Sequence, residues 1–380
     1  MKYRRFGKLN WDASVLGFGA MRLPILGGDY SKIDESKALE MLSFAFDNGV
    51  NYVDSGYTYH EGKSEPLLGK ALQNGVRDKV KVATKMPSWL VNSREDMDKY
   101  LNTQLDRLKI DCLDFYLFHG LTGERWRKLS KLNALGWAEK KMDEGKIGHL
   151  GFSFHDTYTT FKRIIDSYDN WTMCQILYNY VDSTHEAGTK GLRYAASKNM
   201  AVVVMEPVAG GRLAMPLKDE IQAIWNKADF KRSPAAWALL WVWNQPEVNV
   251  ALSGMSTIEQ VKENVKTADI AKPGILSKHQ LALFKRVVNE YRRLGYVNCS
   301  GCRYCQPCPN GVDIPTIISL YNEYYAKDRD ESVKARYKKQ IPQKSRAKLC
   351  TRCGKCEELC PQQLPIRRII SASAFMFEQD

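Results

Sequence analysis

Ala201-Val202-Val203-Val204-Met205 is an unbroken apolar run inside the strand expected over residues 200–206. A strand with one face in water alternates apolar and polar residues, whereas a run without a polar position belongs to a parallel sheet buried on both faces. Seven further β-rich runs share the first 270 residues, at 14–16, 51–55, 80–85, 112–119, 147–154, 173–180 and 248–253. Each of the eight is followed by a stretch with apolar residues at three- and four-residue spacing, which reads as helix: 37–48, 64–74, 94–108, 126–144, 158–167, 187–199, 233–244 and 258–268. Eight strand–helix units in unbroken succession predict an α/β fold, a (β/α)8 TIM barrel over residues 1–272. An open doubly wound sheet would want a glycine-rich fingerprint in its first turn, and Gly17-Phe18-Gly19-Ala20-Met21 supplies two glycines there.

From Lys272 the rhythm changes. A helix expected over 277–294 leads into the first of two cysteine runs, which together hold eight of the ten cysteines. Cys350, Cys353, Cys356 and Cys360, followed by Pro361, have the spacing of a bacterial ferredoxin 4Fe–4S ligand set. Cys299, Cys302, Cys305 and Cys308, followed by Pro309, differ by one residue before the last cysteine. Three cysteines three apart let one tight loop reach three corners of a cube, and the fourth corner needs a ligand from elsewhere. In two-cluster ferredoxins that ligand comes from the other run. This assigns Cys299, Cys302, Cys305 and Cys360 to one cluster and Cys350, Cys353, Cys356 and Cys308 to the second. The helical signals between the runs, PTIISLYNEYY and ESVKARYKK, predict an α-helical ferredoxin-like domain over residues 273–380.

Zinc sites favour separated C-x2-C pairs, a poor match to two triple-plus-one runs. Disulfides fit no better, because the start MKYRRFGKLNWD has no apolar signal region and the chain is expected in the cytoplasm, where thiols stay reduced. Cys112 and Cys174 lie in apolar runs and are expected to be buried and inert. No stretch approaches a membrane-spanning length of apolar residues. The net charge is +13, much of it between Lys334 and Lys348, where seven basic residues stand with no acidic one. No nucleic-acid module surrounds that stretch. It reads as a solvated helix face offsetting the clusters' negative charge, or as a docking patch for an acidic redox partner such as a ferredoxin or flavodoxin.

In a barrel, catalytic groups stand at the C-terminal ends of strands. Asp54 ends NYVD, Lys85 ends KVATK, His119 ends FYLFH, and Tyr59 follows Asp54 by five residues. Here the chain resembles the aldo-keto reductases. Asp54-Ser55-Gly56-Tyr57-Thr58-Tyr59, continuing through Gly62 to Ser64-Glu65, is similar to that family's D-T-A-x-x-Y-G-x-G-x-S-E motif, with departures at Ser55, Gly56 and His60. The resemblance covers roughly residues 1–270, and the whole chain resembles a subgroup, found in anaerobic microbes, that carries a ferredoxin-type domain. Reducing a carbonyl requires hydride at carbon and a proton at oxygen. A free tyrosine, with a pKa near 10, is a reluctant proton donor at neutral pH, and a neighbouring ammonium eases its ionisation. The resemblance implies Tyr59 as general acid or base, Lys85 as that ammonium, Asp54 as its anchor and His119 as a donor to the substrate oxygen. Trp89 and Trp126 could wall the substrate pocket or simply pack.

The same resemblance implies a nicotinamide dinucleotide. Gly19, Met21 and Asp54 would lie along it, Ser153 and Gln175 would hold its carboxamide, and Pro207, Gly210, Gly211 and Leu213 would cross its pyrophosphate. Ser253, Gly254, Met255, Thr257, Gln260, Glu263 and Asn264 match the last phosphate and adenosine segment. NADPH-selective members have Lys and Arg where this chain has Gly254 and Gln260, so the resemblance leaves NADP and NAD both open. The family's aromatic at the end of strand seven is absent from Met205-Glu206-Pro207.

The leading expectation is an NAD(P)-dependent reductase of small carbonyls, or dehydrogenase of the matching alcohols, with two clusters in an appended domain. A second reading is an iron–sulfur electron-transfer protein that couples a barrel-bound redox cofactor to a ferredoxin or flavodoxin. A third is a nucleotide-binding sensor that signals through cluster state. Hydride moves two electrons and a 4Fe–4S cluster one, so coupling the two would need a splitting centre such as a flavin, for which no motif is legible.

Overall fold

The computed structural model describes residues 1–215, 218–294, 296–327 and 329–379. The chain divides into two compact units, one of Met1–Val208 with Ala235–Leu276 and one of Ala209–Pro234 with Ser277–Asp380. The division near 276 lies close to the expected boundary at 272, but the loop from Ala209 to Pro234 goes with the second unit.

The first unit opens with an antiparallel hairpin, β1 (Tyr3–Arg5) and β2 (Asp12–Ser14), which the sequence reading did not anticipate. Eight strands then close into a parallel barrel: β3 (Leu16–Gly19), β4 (Tyr52–Asp54), β5 (Lys81–Met86), β6 (Leu113–Leu121), β7 (Ile147–Phe154), β8 (Met173–Leu177), β9 (Ala201–Met205) and β10 (Val250–Ser253). The first barrel strand is therefore Leu16–Gly19 rather than 14–16. The apolar run Ala201–Met205 behaves as its composition requires. Ala201 and Val203 join the interior cluster, while Val202 and Val204, on the other face, are equally buried. That interior cluster, with Phe6, Ala13, Tyr52, Ala83, Phe115, Leu117, Met173, Val250 and Leu252, forms a packed floor.

Helices α1 (Glu35–Asp47), α2 (Ser64–Ala71) and α3 (Arg94–Leu108) follow the first strands, and α3 starts at a capping box made by Ser93 and Asp96. The single helix expected over 126–144 is two, α4 (Gly123–Lys131) and α5 (Ala134–Asp143). The break falls at Asn133, whose φ of 53° no helix can continue through. Then come α6 (Tyr158–Asp166) and α7 (Gly188–Ser197). After α8 (Asp219–Trp225), which belongs to the second unit, α9 (Pro234–Trp243) and α10 (Ile258–Ala268) complete the barrel.

The second unit is helical, with α11 (Lys278–Arg293), α12 (Ile314–Ala326), α13 (Glu331–Gln340), the short α14 (Lys355–Glu358) and α15 (Ile366–Phe377). Its core gathers Ile314, Ile317, Ile318, Tyr337, Ile366, Ile370 and Phe377, and six of the run cysteines pack against it. Among the described residues no helix is long and apolar enough to cross a membrane.

Candidate functional site

Side chains alternate along a strand, so the positions two and four beyond an inward floor residue also point inward. Tyr52, Ala83, Phe115, Leu117 and Met173 are floor residues. Two steps on from Tyr52, Ala83, Leu117 and Met173 stand Asp54, Lys85, His119 and Gln175, and Ser153 pairs with Gln175 in the β7–β8 register. The period that makes the floor apolar thus delivers a ring of polar groups to the mouth above it.

Lys85 Nζ donates to Asp54 Oδ1, to the Ser55 carbonyl at 2.5 Å and to the Tyr59 hydroxyl at 3.3 Å. The Tyr59 and His119 rings meet edge-on at 5.8 Å. Asp54, Lys85 and His119 are all at most 3% exposed. Burial pushes the Lys85 ammonium down and the Asp54 carboxyl up, while their mutual attraction opposes both shifts. His119 is held well below the usual imidazole range by burial, then by the charges of Lys85, His155 and Arg125, and is neutral at pH 7.

The three departures from the motif acquire physical reasons. A Cβ on Gly56 would lie 3.0 Å from Tyr59 Cζ and 3.3 Å from His119 Cε1, so the glycine lets the two rings close over it. Ser55 Oγ bonds Ser64 Oγ at 2.8 Å, and Ser64 bonds the Ala20 carbonyl at 2.9 Å, tying β3, β4 and α2 together. His60 adopts φ 50°, a left-handed conformation that suits glycine. It is held there by stacking on Tyr30 at 4.4 Å and by two backbone bonds. Its Nε2 accepts from Leu23 N–H at 3.2 Å, so Nδ1 carries the proton and donates to the Tyr30 carbonyl at 2.8 Å.

Tyr57 is engaged elsewhere, edge-on to Tyr100 and under Arg107, which leaves Tyr59 as the phenol at Lys85. Trp89 lies 5.0 Å from the His119 ring. Trp126 is not a pocket wall: it sits on α4, buried between Phe118 and Trp171. Cys174 is buried as expected, whereas Cys112 is half-buried only, because it precedes the start of β6.

Several groups behind the mouth were given no role by the sequence reading, Glu65 among them although the motif includes it. Glu65 is fully buried, accepting from Thr84 at 2.6 Å, Gln104 at 2.5 Å and Arg107 at 3.1 Å, and its charge favours the Lys85 ammonium. Ser88 holds the His119 carbonyl at 2.5 Å. His155, one residue past β7, bonds Glu186 at 3.0 Å, and that carboxylate helps raise the imidazole against the cost of burial. The signal for His155 was its place directly after a strand end in GFSFH.

For the expected cofactor residues the placement is mixed. Ser153 Oγ accepts from Gly120 N–H at 2.7 Å. Gln175 Oε1 and Asp54 Oδ2 are buried with no hydrogen-bond partner among the described residues, which fits polar atoms awaiting a ligand such as a carboxamide. Gly19 ends β3 beside β10, where a Cβ would lie in ordinary contact with the Ser253 carbonyl at 3.4 Å, and Met21 follows half-buried. Met255 is buried. Thr257 caps α10, Gln260 accepts from Ser256 N–H at 2.8 Å, and Asn264 donates to Ser253 at 3.0 Å, so these side chains are spent on local structure. Pro207 precedes a turn whose Gly210, Gly211 and buried Leu213 fall in the second unit. Gly210 is needed for packing, since a Cβ there would come within 2.4 Å of the Ser300 carbonyl; Gly211, at φ 99°, faces open space.

In the second unit the two cysteine loops share a backbone pattern. Two and four residues after the first cysteine of each run, φ is positive: Gly301 and Arg303 in one, Arg352 and Gly354 in the other. This turns backbone N–H groups inward, as Gly301 N–H to Cys299 Sγ at 3.4 Å shows. Cys299, Cys302, Cys305 and Cys360 line one small cavity. Cys308, Cys350, Cys353 and Cys356 line another, which Cys305 also borders. Each cavity thus brings together four of the run cysteines, with Cys305 at the edge of both. Among the described residues no three His, Cys, Asp or Glu side chains close on one point as a single ion would require. Thiols ringing a cavity suit a cube of iron and sulfide. Burial, then Glu357 and Cys350, pushes the Cys356 thiol up to about 11, so thiolates here call for compensating positive charge.

The Aldo/keto reductase family profile matches residues 15–274, and that of the 4Fe-4S dicluster domain matches 298–364. The uncharacterized oxidoreductase YqkF of Bacillus subtilis is 25% identical over 301 residues, covering 71% of this chain and 92% of that one. The probable aldo-keto reductase 1 of Glycine max is 25% identical over 293 residues, covering 69% and 82%. Among solved structures, aldo-keto reductase AKR11C1 from Bacillus halodurans, in its holo form, superposes with a TM-score of 0.63 at 26% identity, covering 76% of this chain and 96% of that one. An aldo-keto reductase from Klebsiella pneumoniae in complex with NADPH gives 0.59 at 25% identity, covering 76% and 95%.

Proposed function

Because this chain belongs to the aldo/keto reductase family, we propose that it moves hydride between NADP or NAD and a small carbonyl or alcohol, with Tyr59 as general acid in reduction and general base in oxidation. The observation that carries the reading is one buried ammonium, Lys85 Nζ, shared between Asp54 and the Tyr59 hydroxyl. The nicotinamide, when bound, supplies or accepts hydride at the substrate carbon. In reduction, Tyr59 gives its hydroxyl proton to the substrate oxygen. The phenolate left behind is stabilised by the Lys85 charge, which acts strongly in a mouth shielded from water. Asp54 keeps that charge in place. Neutral His119 donates a hydrogen bond to the same oxygen without adding a second cation that would repel Lys85. Ser153 and Gln175 are assigned to the carboxamide, and the NADPH-bound Klebsiella relative supports the cofactor class.

The second unit is assigned two 4Fe–4S clusters, on Cys299, Cys302, Cys305 and Cys360 and on Cys350, Cys353, Cys356 and Cys308, which when bound supply one-electron capacity. Lys338, Lys339, Lys344 and Lys348 are exposed, and this basic stretch is assigned to an acidic ferredoxin or flavodoxin. Protein purified without oxygen should carry about eight irons per chain, as two four-iron clusters require. It should oxidise NADPH or NADH with at least one member of a carbonyl panel. Full iron content with no carbonyl-dependent oxidation of either nucleotide would overturn the reductase reading and favour the electron-transfer one.

A further inference from the structure

The two cysteine cavities are lined alike. Ile314 and Ile318 stand six and ten residues after Cys308 and line the cavity of Cys299, Cys302 and Cys305. Ile366 and Ile370 stand six and ten residues after Cys360 and line the cavity of Cys350, Cys353 and Cys356. The start of α12 serves one cavity as the start of α15 serves the other. One position breaks the likeness. Seven residues after the last cysteine of each run come Pro315 and Arg367, and each lines its own cavity.

The guanidinium of Arg367 lies on the cysteine loop itself. A Cβ on Gly354 would stand 3.8 Å from Arg367 Nη1 and 3.9 Å from its Cζ, so the charged head is there and not only the stem. Glu357, next to Cys356, holds it in place. The Arg367 backbone N–H donates to Glu357 Oε1 at 2.8 Å, Nε donates to Oε2 at 2.7 Å, and Nη2 lies 2.7 Å from Oε2. These contacts use Nε and Nη2 and leave Nη1 as the edge toward Gly354. After Glu357, the charges that favour the guanidinium are the Cys356 and Cys350 thiolates.

We propose that Arg367 raises the reduction potential of the cluster assigned to Cys350, Cys353, Cys356 and Cys308 and leaves that of the other cluster unmoved. The proposal rests on the reading of this unit as the holder of two 4Fe–4S clusters. Reduction adds one electron and no proton to such a cluster, so its negative charge grows by one. A fixed cation at the cavity wall, with an N–H edge toward the loop, favours that form. Pro315, at the matching place, offers neither charge nor N–H. The first cavity draws on a different arginine, Arg303 of its own loop, which lies 3.9 Å from Asp313. Loss of Arg367 is therefore felt by one cluster. Cys353 is exposed, so Arg367 acts at a cluster with a ligand open to an outside electron partner.

The test is a redox titration of the full chain, purified without oxygen and followed by electron paramagnetic resonance. Cys353→Ser changes one ligand of the second cluster and so identifies its signal. Arg367→Met keeps the stem and removes the charge. It should move the reduction equilibrium of that cluster about ten-fold toward the oxidised form, which is about 59 mV downward for one electron. The other cluster should keep its wild-type potential. Arg367→Gln, which retains a polar head, should give the same downward shift, and it decides the matter if the methionine variant loads less iron. An unmoved potential, an upward shift or equal shifts in both clusters would each overturn the proposal alone. A wild type with fewer than about eight irons and a single signal, or none, would overturn the two-cluster reading and this inference with it.

Discussion

Asp54, Lys85 and His119 reach the barrel mouth on strands, each two residues beyond a floor residue, and their positions are held by the parallel ladder. Cys299, Cys302 and Cys305 reach their cavity on a loop, turned by positive φ at Gly301 and Arg303 and backed by one face of a small helical core. The mouth is assembled by the fold and needs no ligand to bring its groups together. The cysteine loops ring cavities, and burial disfavours the thiolate form at Cys305 and Cys356, which a bound cluster would reverse. The first region should therefore be stable when bare and the second should depend on its iron.

The sharpest way to break this contrast is to strip the iron. Structural metal sites can supply on the order of 10 kcal/mol. Anaerobic chelation is thus expected to unfold the region around α12 to α15, seen as lost helical circular dichroism and rapid proteolysis between the cysteine runs, while the barrel keeps its protection. A stripped chain that resists protease throughout would remove the distinction.

Next comes the charge pair in the mouth. Lys85→Met leaves Asp54 buried and uncompensated, and should cost about 3–5 kcal/mol in urea unfolding of the barrel. Adding Asp54→Leu should return most of that loss, because the cost lies in the orphaned charge rather than in a missing attraction. Additive losses in the double variant would mean that the pair itself stabilises the mouth.

A smaller effect follows from His119. Its folded-state pKa lies well below the unfolded value, so below about pH 6.5 the unfolded chain binds a proton that the folded chain refuses. Stability from this site is complete above that pH and declines as pH falls, by up to about 1.4 kcal/mol per pH unit. Replacing His119 with Gln should flatten the acid limb of stability against pH by that slope. His155, with its raised pKa, acts in the opposite sense: its contribution is complete below about pH 6.5 and is lost as pH rises through the folded value.

The smallest change in stability is expected from Gly56→Ala, about 1 kcal/mol or less, because the rings it meets at 3.0 to 3.3 Å can give way by tenths of an ångström. Turnover should nevertheless fall about ten-fold, since the displaced atoms belong to Tyr59 and His119. Unchanged turnover would mean that the Tyr59–His119 spacing is not critical.

Local pattern carried the barrel. The run at 201–205 announces a strand buried on both faces, and α3 and α10 begin and end where the apolar spacing predicts, with Ser93 and Thr257 as their caps in the structure. Single-residue conformations did not show: the αL turn at Asn133 divides a helix whose apolar spacing runs straight through it. The β1–β2 hairpin was missed because YRR and DAS have no apolar alternation; what they build is the closure that seats Phe6 in the barrel floor. The convergence of Asp54, Tyr59, Lys85 and His119 was legible because strand ends and a motif both point to it. The placing of Arg367 on Gly354 was not, since it joins a helix to a cysteine loop and depends on how the chain folds back between them.

The most direct test of the account is Tyr59→Phe in anaerobically purified protein, comparing carbonyl-dependent NADPH oxidation with the cluster absorption spectrum of the same sample. The expected result is a fall in kcat/KM of about a thousand-fold or more with the iron–sulfur spectrum unchanged, the loss typical of removing a general acid. Retention of near wild-type turnover by the phenylalanine variant would show that the proton comes from elsewhere, and would contradict the role given to the Asp54–Lys85–Tyr59 chain.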